Sequence, residues 1–432
     1  MTGHFRSFAA RAEGSMTILS LYFLAGVLAV SAFAIDFGYL MSARNQLQVG
    51  ADAAAHAALY FREKNDADAA RAKAVEIANH SMPAADYGDV LRVQDVAFGH
   101  WDYASRTFTP DPHSREAVRV LPGRTASRGN PVAAHLFRFL NKPFWDLSAQ
   151  AVFVTYVPHC MREGFVGDRV VDIQSNNGYE DGFCLHSNEY VSVNSNNTFE
   201  PGTVVSMPDS GDIDLPRSGF ETNPGLKAAL RSGYYRLRIL RQLDQIHDDL
   251  YFASGEFLPD YITSSVPVVL DVKKLTTADL VPGRVHRVGC RSNGLTVDPG
   301  TVLSEVVVVT DCAIKFGQGV TLEDAVVFTR DTGAKSVSAA SSLQIGRNDA
   351  CAEGGGAQIV TYGGVDVPSD LRFYGGQIIA LDHVQFSANA GGIEGASIIS
   401  GSTISGTSNM TMGFCGSGME TNFSVPYFKL AY

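Results

Sequence analysis

Residues 18–35, ILSLYFLAGVLAVSAFAI, contain no charged side chain, and as a helix rising 1.5 Å per residue they would span about 27 Å. A hydrocarbon layer is about 30 Å thick, so a chain carrying this stretch must either place it in lipid or wrap it completely in protein. The flanks favour lipid. Arg6 and Arg11 precede the run and Asp36 follows it; by the positive-inside rule a short tail, residues 1–15, stays in the cytoplasm and everything after the span at 16–36 lies outside. Ala32-Phe33-Ala34 has the small-x-small form of a cleavage site, so a cleaved signal peptide is the competing reading. The run is longer than the usual apolar core of about 7–15 residues and the helical pattern continues past it, which favours an anchor.

The cysteines agree with export. Six are present, Cys160, Cys184, Cys290, Cys312, Cys351 and Cys415, all beyond the span. An even number in an oxidising compartment reads as three disulfides. Pairing in sequence order (Cys160–Cys184, Cys290–Cys312, Cys351–Cys415) is the first expectation among the 15 pairings that six cysteines allow. A metal site built from His159-Cys160 and Cys184-x-His186 is the alternative, but neither half has the C-x2-C spacing of structural zinc. Lys and Arg total 34 against 45 Asp and Glu. With a net charge of −11 there is no basic excess to neutralise a phosphate backbone, and nucleic acid is excluded as a partner.

Beyond Asp36 the helical pattern runs from Phe37 to about Asn79, with Leu40, Leu47, Ala51, Ala54, Ala58 and Phe61 along one face. Arg44, Asp52, Arg62, Glu63 and Lys64 leave that face. The stripe is mostly small residues, suited to close helix packing: either an arm lying on its own domain or a partner-binding helix. Ala25 and Ala29 form a weak small-xxx-small pair within the span. Glu13-Gly14-Ser15, the apolar span, Asp36, Arg44-x-x-Leu47-Gln48 and Ala51-Asp52-Ala53-Ala54-Ala55 resemble the N-terminal segment of the TadG-like proteins of tight-adherence (Flp) pilus assembly. The resemblance covers about residues 11–60 and makes Gly14, Asp36, Arg44, Leu47, Gln48 and Asp52 its motif residues. Two departures limit it. The fifth residue after Gly14 is Leu19, where a processed pilin would carry glutamate. The Val306–Ala313 stretch, VVVVTDCA, lacks the serines of the von Willebrand A metal motif found in some of these proteins, so that metal site is not carried over. On this reading Asp36 marks where the helix reaches water, and none of the motif residues is catalytic.

Residues 83–158 switch to short β-branched or aromatic runs at 90–93, 96–98, 117–120 and 151–154, with a short helix expected at 131–140, opened by Asn130 and with Pro131 at its first position. A long helix followed by a small sheet is a pilin-like plan. Gly99-His100-Trp101-Asp102-Tyr103 places His and Asp two apart, but no nucleophile accompanies them and a strand end with a packed Trp is the simpler reading. Residues 159–432 carry an internal duplication. Glu200-Pro201-Gly202-Thr203-Val204-Val205-Ser206 returns as Asp298-Pro299-Gly300-Thr301-Val302-Leu303-Ser304, each copy after a cysteine and a Ser-Asn pair, Ser187-Asn188 and Ser292-Asn293. Short strands at 306–310, 326–329, 359–362, 371–374 and 378–381 alternate with Gly, Ser, Asn and Asp turns. Ile398, Ile404 and Met410 recur six apart, as do Ile378 and Val384. This describes a β-helix with glycines at its corners, interrupted by a helical insertion at about 224–250 that carries Leu226, Leu230, Leu237, Leu240 and Leu243; a β-sandwich is the alternative. Asp209-Ser210-Gly211-Asp212-Ile213-Asp214 lacks EF-hand spacing and reads as turn carboxylates.

The expected fold is therefore mixed: a transmembrane helix (16–36), a helical stalk (37–82), a small α+β domain (83–158), and a β-helix (159–432). The expected protein is a single-pass bacterial inner-membrane protein with its bulk in the periplasm. It acts as a structural or interaction component of Flp pilus assembly, with pilus-assembly or envelope proteins and cell wall or glycan as partners. No catalytic, cofactor or metal residue is assigned. The alternative is a tethered polysaccharide lyase or glycoside hydrolase, which needs carboxylates, or a Lys or Arg base with a metal, converging on one face.

Overall fold

The apolar run and the alanine stripe fall on one helix, α1 (Glu13–Arg62). In the computed structural model, which describes residues 13–291, 294–407 and 409–432, the side chains of the apolar run are exposed and burial begins at Asp36. Arg6, Arg11, Ser292 and Asn293 lie outside the described residues. The chain forms two units, Met1–Tyr156 with Pro426–Tyr432, and Val157–Val425.

In the first unit the helix expected to continue to Asn79 instead ends at Arg62, and the chain folds back as α2 (Ala67–Ser81). No Gly or Pro marks the break; polar side chains make it. Asn65 Nδ2 donates to the Phe61 carbonyl (2.9 Å) and Asp66 Oδ1 accepts from the Ala69 N–H (2.8 Å), an N-cap. Ala70, Ala74 and Ala78 of α2 pack against Ala51, Ala54, Ala55 and Ala58 of α1 in one buried cluster. Small side chains let the two backbones approach: a Cβ at Gly50 would come within 2.5 Å of Met82 Cε. The stripe thus belongs to an arm on its own domain. Arg62, assigned by pattern to the outer face, is buried instead, with its guanidinium over the Phe98 ring at 5.6 Å.

This helical hairpin packs on a five-stranded antiparallel sheet in the order Thr107–Pro110, Val96–Asp102, Ala117–Val120, Ala151–Tyr156, Tyr427–Leu430. Two local expectations need correcting. Residues 90–93 are not a strand, because the 3-10 turn Val93–Asp95 is closed by Asp95 accepting from the Arg92 N–H (2.9 Å). Residues 131–140 are not a helix. Val132–Ala133 pairs antiparallel with Phe144–Trp145, leaving only the 3-10 turn Phe137–Leu140, and Asn130 is buried, its side chain bonded to the backbone of Tyr87, Gly123 and Thr125. The C-terminal part expected to run to residue 432 also stops short: Tyr427–Leu430 pairs with Ala151–Tyr156, with Tyr427 opposite Tyr156.

The second unit is largely β, with a 22-stranded sheet whose pairings are parallel. Partners stand about twenty residues apart: Val171 faces Val191, Cys184 faces Val204, Val285 faces Val307, Ile359 faces Ile378 and Ile378 faces Ile398. The last stretches return to the first. Phe165 pairs with both Leu185 and Ile398, and Val171 with both Val191 and Ile404. The expected insertion contains the short helices Leu226–Ala229 and Leu243–Tyr251 with the strand Leu230–Ser232 between them. Inside, Phe165, Val171, Leu185, Ile359, Ile378, Ile398 and Ile404 share one apolar core.

Asparagines fix the turns. Asn177, Asn197 and Asn223 are almost fully buried. Asn197 Oδ1 accepts from the Asn177 N–H (2.9 Å), Asn223 Oδ1 from the Asn197 N–H (3.0 Å), and Asn177 Oδ1 from the Met410 N–H (2.9 Å). Each side chain satisfies a backbone donor of a neighbouring parallel segment, 20 and 26 residues away for Asn197 and Asn223 and 233 residues away for Asn177. Replacing Asn197 with Ala leaves the buried Asn177 N–H without its acceptor and should cost about 1–3 kcal/mol. A clear fall in the urea midpoint of the full chain is expected; an unchanged midpoint would show that the ladder does not stabilise the unit.

Candidate functional site

The motif residues distribute along α1 according to what each touches. Asp36 closes the apolar run, yet it does not face water: it is 2% exposed. Its Oδ1 accepts from the N–H groups of His135 (2.9 Å) and Leu136 (3.1 Å), and its Oδ2 from those of Leu136 (3.0 Å) and Phe137 (2.6 Å). A carboxylate taken out of water is stable only when so compensated, and three consecutive backbone amides aimed inward form such a cradle. The amides come from a hairpin about a hundred residues away, so local sequence does not reveal that Asp36 is buried.

Leu47 is fully buried in the helix–sheet core. Gln48 Nε2 donates to Asp52 Oδ1 and to the Gln150 carbonyl, both at 2.9 Å, so the Gln-Asp pair fixes α1 to the segment entering strand Ala151–Tyr156. Arg44 is exposed and lines a cleft of about 670 Å³ with Gln48, Leu121, Thr125, Arg128 and Tyr432. Arg128 is held by a bidentate pair with Asp95 at 2.7 and 3.0 Å. Gly14 lies in the first turn of α1. The motif is therefore a set of positioning contacts plus one exposed cation, and it does not converge on a reaction centre.

His100, the tempting acid–base residue, sits between Glu116 (Nδ1 to Oε2, 2.8 Å) and Asp111 (Nε2 to Oδ2, 3.1 Å) on the surface of the first sheet. Glu116, followed by Asp111, raises its pKa above the ordinary 6.5. A raised folded value means that the contribution to stability is complete below the unfolded pKa and disappears as pH rises through the folded one. The imidazole should titrate above 6.5 by NMR, and Glu116→Gln should bring it down; a wild-type value at or below 6.5 would contradict the bridging geometry.

In the second unit the cysteines pair in sequence order, Cys160–Cys184, Cys290–Cys312 and Cys351–Cys415, with Cα separations of 5.1, 5.6 and 5.7 Å. The suggested four-ligand metal set is not assembled. Its thiols are joined, His159 Nε2 bonds the Gly182 carbonyl, and His186 is held by Ser206 and Asn188. Cys351, Glu394 and Cys415 cluster, but those two thiols are also joined. A cavity of about 270 Å³ holds His159, Arg162, Glu163 and Glu420. Burial pushes the Glu163 carboxyl up, opposed by the amides of Cys415 and Gly416. Its Oε2 accepts from Cys415 (2.7 Å) and its Oε1 from Gly416 (2.5 Å), while Glu420 Oε1 accepts from the Gly418 N–H (3.0 Å). Both carboxylates accept from backbone amides of the loop that contains Cys415 and Gly418.

The comparisons with known proteins agree with this division. Residues 164–416, more than half of the 432-residue chain, match the family described as Domain of unknown function (DUF7867), and the chain belongs to that family. The N-terminal region carries Tad-family domains: residues 14–72 match the Flp pilus-assembly TadE/G-like family and residues 53–152 the Tad-like Flp pilus-assembly family. No curated protein and no solved structure matches the chain.

The Asp36 cradle makes a specific prediction. Asp36→Ala should strip the acceptors from the amides of Leu136 and Phe137, and their hydrogen exchange should accelerate by at least about tenfold, as expected for a loss of about 1.4 kcal/mol or more. Unchanged exchange at both amides would mean that the carboxylate does not hold the hairpin.

Proposed function

We propose that the protein is a membrane-anchored structural or interaction component of Flp pilus assembly, with its N-terminus in the cytoplasm and its bulk in the periplasm of a bacterial inner membrane. The observation that carries this reading is the continuity of α1. One helix includes a run long and apolar enough to cross a membrane and then, without a break, supplies the core of the domain that both pilus-assembly families match. Arg6 and Arg11 before the run support the orientation. Three disulfides suit an oxidising compartment.

On this reading the second unit is a β-helix. Parallel partners about twenty residues apart, a single apolar interior and the buried asparagine ladder support it. Its outward polar surface is presented to envelope partners or cell-wall glycan. Arg44 and its cleft on the first unit offer a second contact for a pilus-assembly partner carrying acidic groups.

The test is crosslinking in intact membranes, with the complexes purified through the full chain. The expected outcome is specific capture of other pilus-assembly proteins, together with loss of pili and surface adherence when the gene is deleted. Normal piliation and adherence in the deletion strain would overturn the assignment. A reporter fused after Tyr432 should be active only in the periplasm.

A further inference from the structure

The hairpin that supplies the amides to Asp36 has an unusual surface. Its strands Val132–Ala133 and Phe144–Trp145 hold out the 3-10 turn Phe137–Leu140. The tip is apolar and open: Phe139 is 74% and Leu140 70% exposed, with Phe144 beside them at 43%. Residues 131–145 contain Arg138, Lys142 and His135 but no Asp or Glu. The cations lie over aromatic faces, Arg138 on Phe139 at 5.0 Å and Lys142 on Trp145 at 5.2 Å. Large exposed aromatics at a hairpin tip are costly in water unless something covers them.

The position of the hairpin says what covers it. The Asp36 carboxylate ties it to the end of the apolar run, Phe137 packs against Phe33 (6.4 Å between centroids) and His135 against Tyr39 (4.6 Å). Phe33 is itself within the exposed apolar run. The apolar surface of the span therefore continues onto the hairpin at the level where α1 leaves the hydrocarbon. Aromatic and aliphatic side chains flanked by Lys and Arg are what a membrane interface with anionic headgroups accommodates.

We propose that residues 131–145 form a second membrane contact: the tip Phe139-Leu140 inserts into the lipid leaflet at the C-terminal end of the span while Arg138 and Lys142 engage anionic headgroups. This rests on reading α1 as a membrane span. Asp36 then gains a further role. By fixing the hairpin to the helix it sets the height of the first unit above the bilayer and restrains rotation about the span, which a single helix cannot do.

The test uses the full chain in nanodiscs containing anionic lipid, with tryptophan placed at three heights: Val27→Trp in the span, Phe139→Trp at the tip and Val49→Trp farther along α1. Emission is taken as the difference from the parent chain, and the lipid chains carry bromine either near the glycerol or near the methyl end. Val27→Trp should be quenched more strongly by the deep bromines, Phe139→Trp more strongly by the shallow ones with blue-shifted emission, and Val49→Trp by neither. Leu140→Trp gives an independent reading of the tip. Quenching at Val27 with none at Phe139 or Leu140 overturns the second contact and leaves the span intact. Absence of quenching at Val27 as well overturns the span, and with it the anchored reading.

Discussion

The pairing of Tyr427–Leu430 with Ala151–Tyr156 is the constraint on which the rest of the chain depends. The sheet of the first unit lacks its last strand until the entire second unit has been traversed. Adjacent strands lie about 4.8 Å apart, so the inserted unit must bring its two ends back to neighbouring positions. The parallel sheet does this by its order of strand pairing. The chain enters at Gly164–Gly167, runs to Leu230–Ser232, starts again at Val268–Leu270, and returns until Val384–Ser400 pairs with Gly164–Gly167. The first and last stretches are therefore neighbours. A sheet closed by a strand so distant in sequence has high contact order and should form late in folding.

Within the first unit, close packing does two jobs at once. Alanines on α1 and α2 let the helices approach and bury the stripe, while the apolar run of α1 and the hairpin tip stay exposed. Asp36 joins those two surfaces. A buried carboxylate with four amide hydrogen bonds is a rigid connection, and its place at the end of the apolar run puts that connection where a span would pass into a folded domain.

What the sequence revealed and what it concealed divide along the range of the interactions. The long apolar helix, the small-residue stripe and the runs at 96–98, 117–120 and 151–154 depend on local pattern and are legible in the sequence. The break at Arg62 was not: Asn65 and Asp66 make it through side-chain caps, whereas the pattern offered no Gly or Pro. Pro131 suggested a helix start, but the antiparallel pairing of Val132–Ala133 with Phe144–Trp145 outweighed that preference. Nothing local in Tyr427–Leu430 separates it from the part expected to run to residue 432, and only its distant partner defines it. Asp36 reads locally as a charge at the edge of water and becomes a buried tie because of residues about a hundred positions away. A further local signal is that Ser175-Asn176-Asn177 returns as Ser195-Asn196-Asn197, and these residues carry the buried ladder and, at Asn176 and Asn196, the left-handed turns.

Pro426–Tyr432 complete the unit that Met1–Tyr156 begin, across the whole of the second unit in sequence, and hydrogen exchange on a chain lacking residues 426–432 tests this most directly. The Val152 N–H, which donates to the Tyr432 carbonyl (2.7 Å), should lose protection because its acceptor is gone, while the Thr155 N–H, which donates to the Glu116 carbonyl (2.7 Å), and the amides of Ala357–Thr361 in the parallel sheet keep theirs. Protection of the Val152 amide equal to that in the intact chain would contradict it.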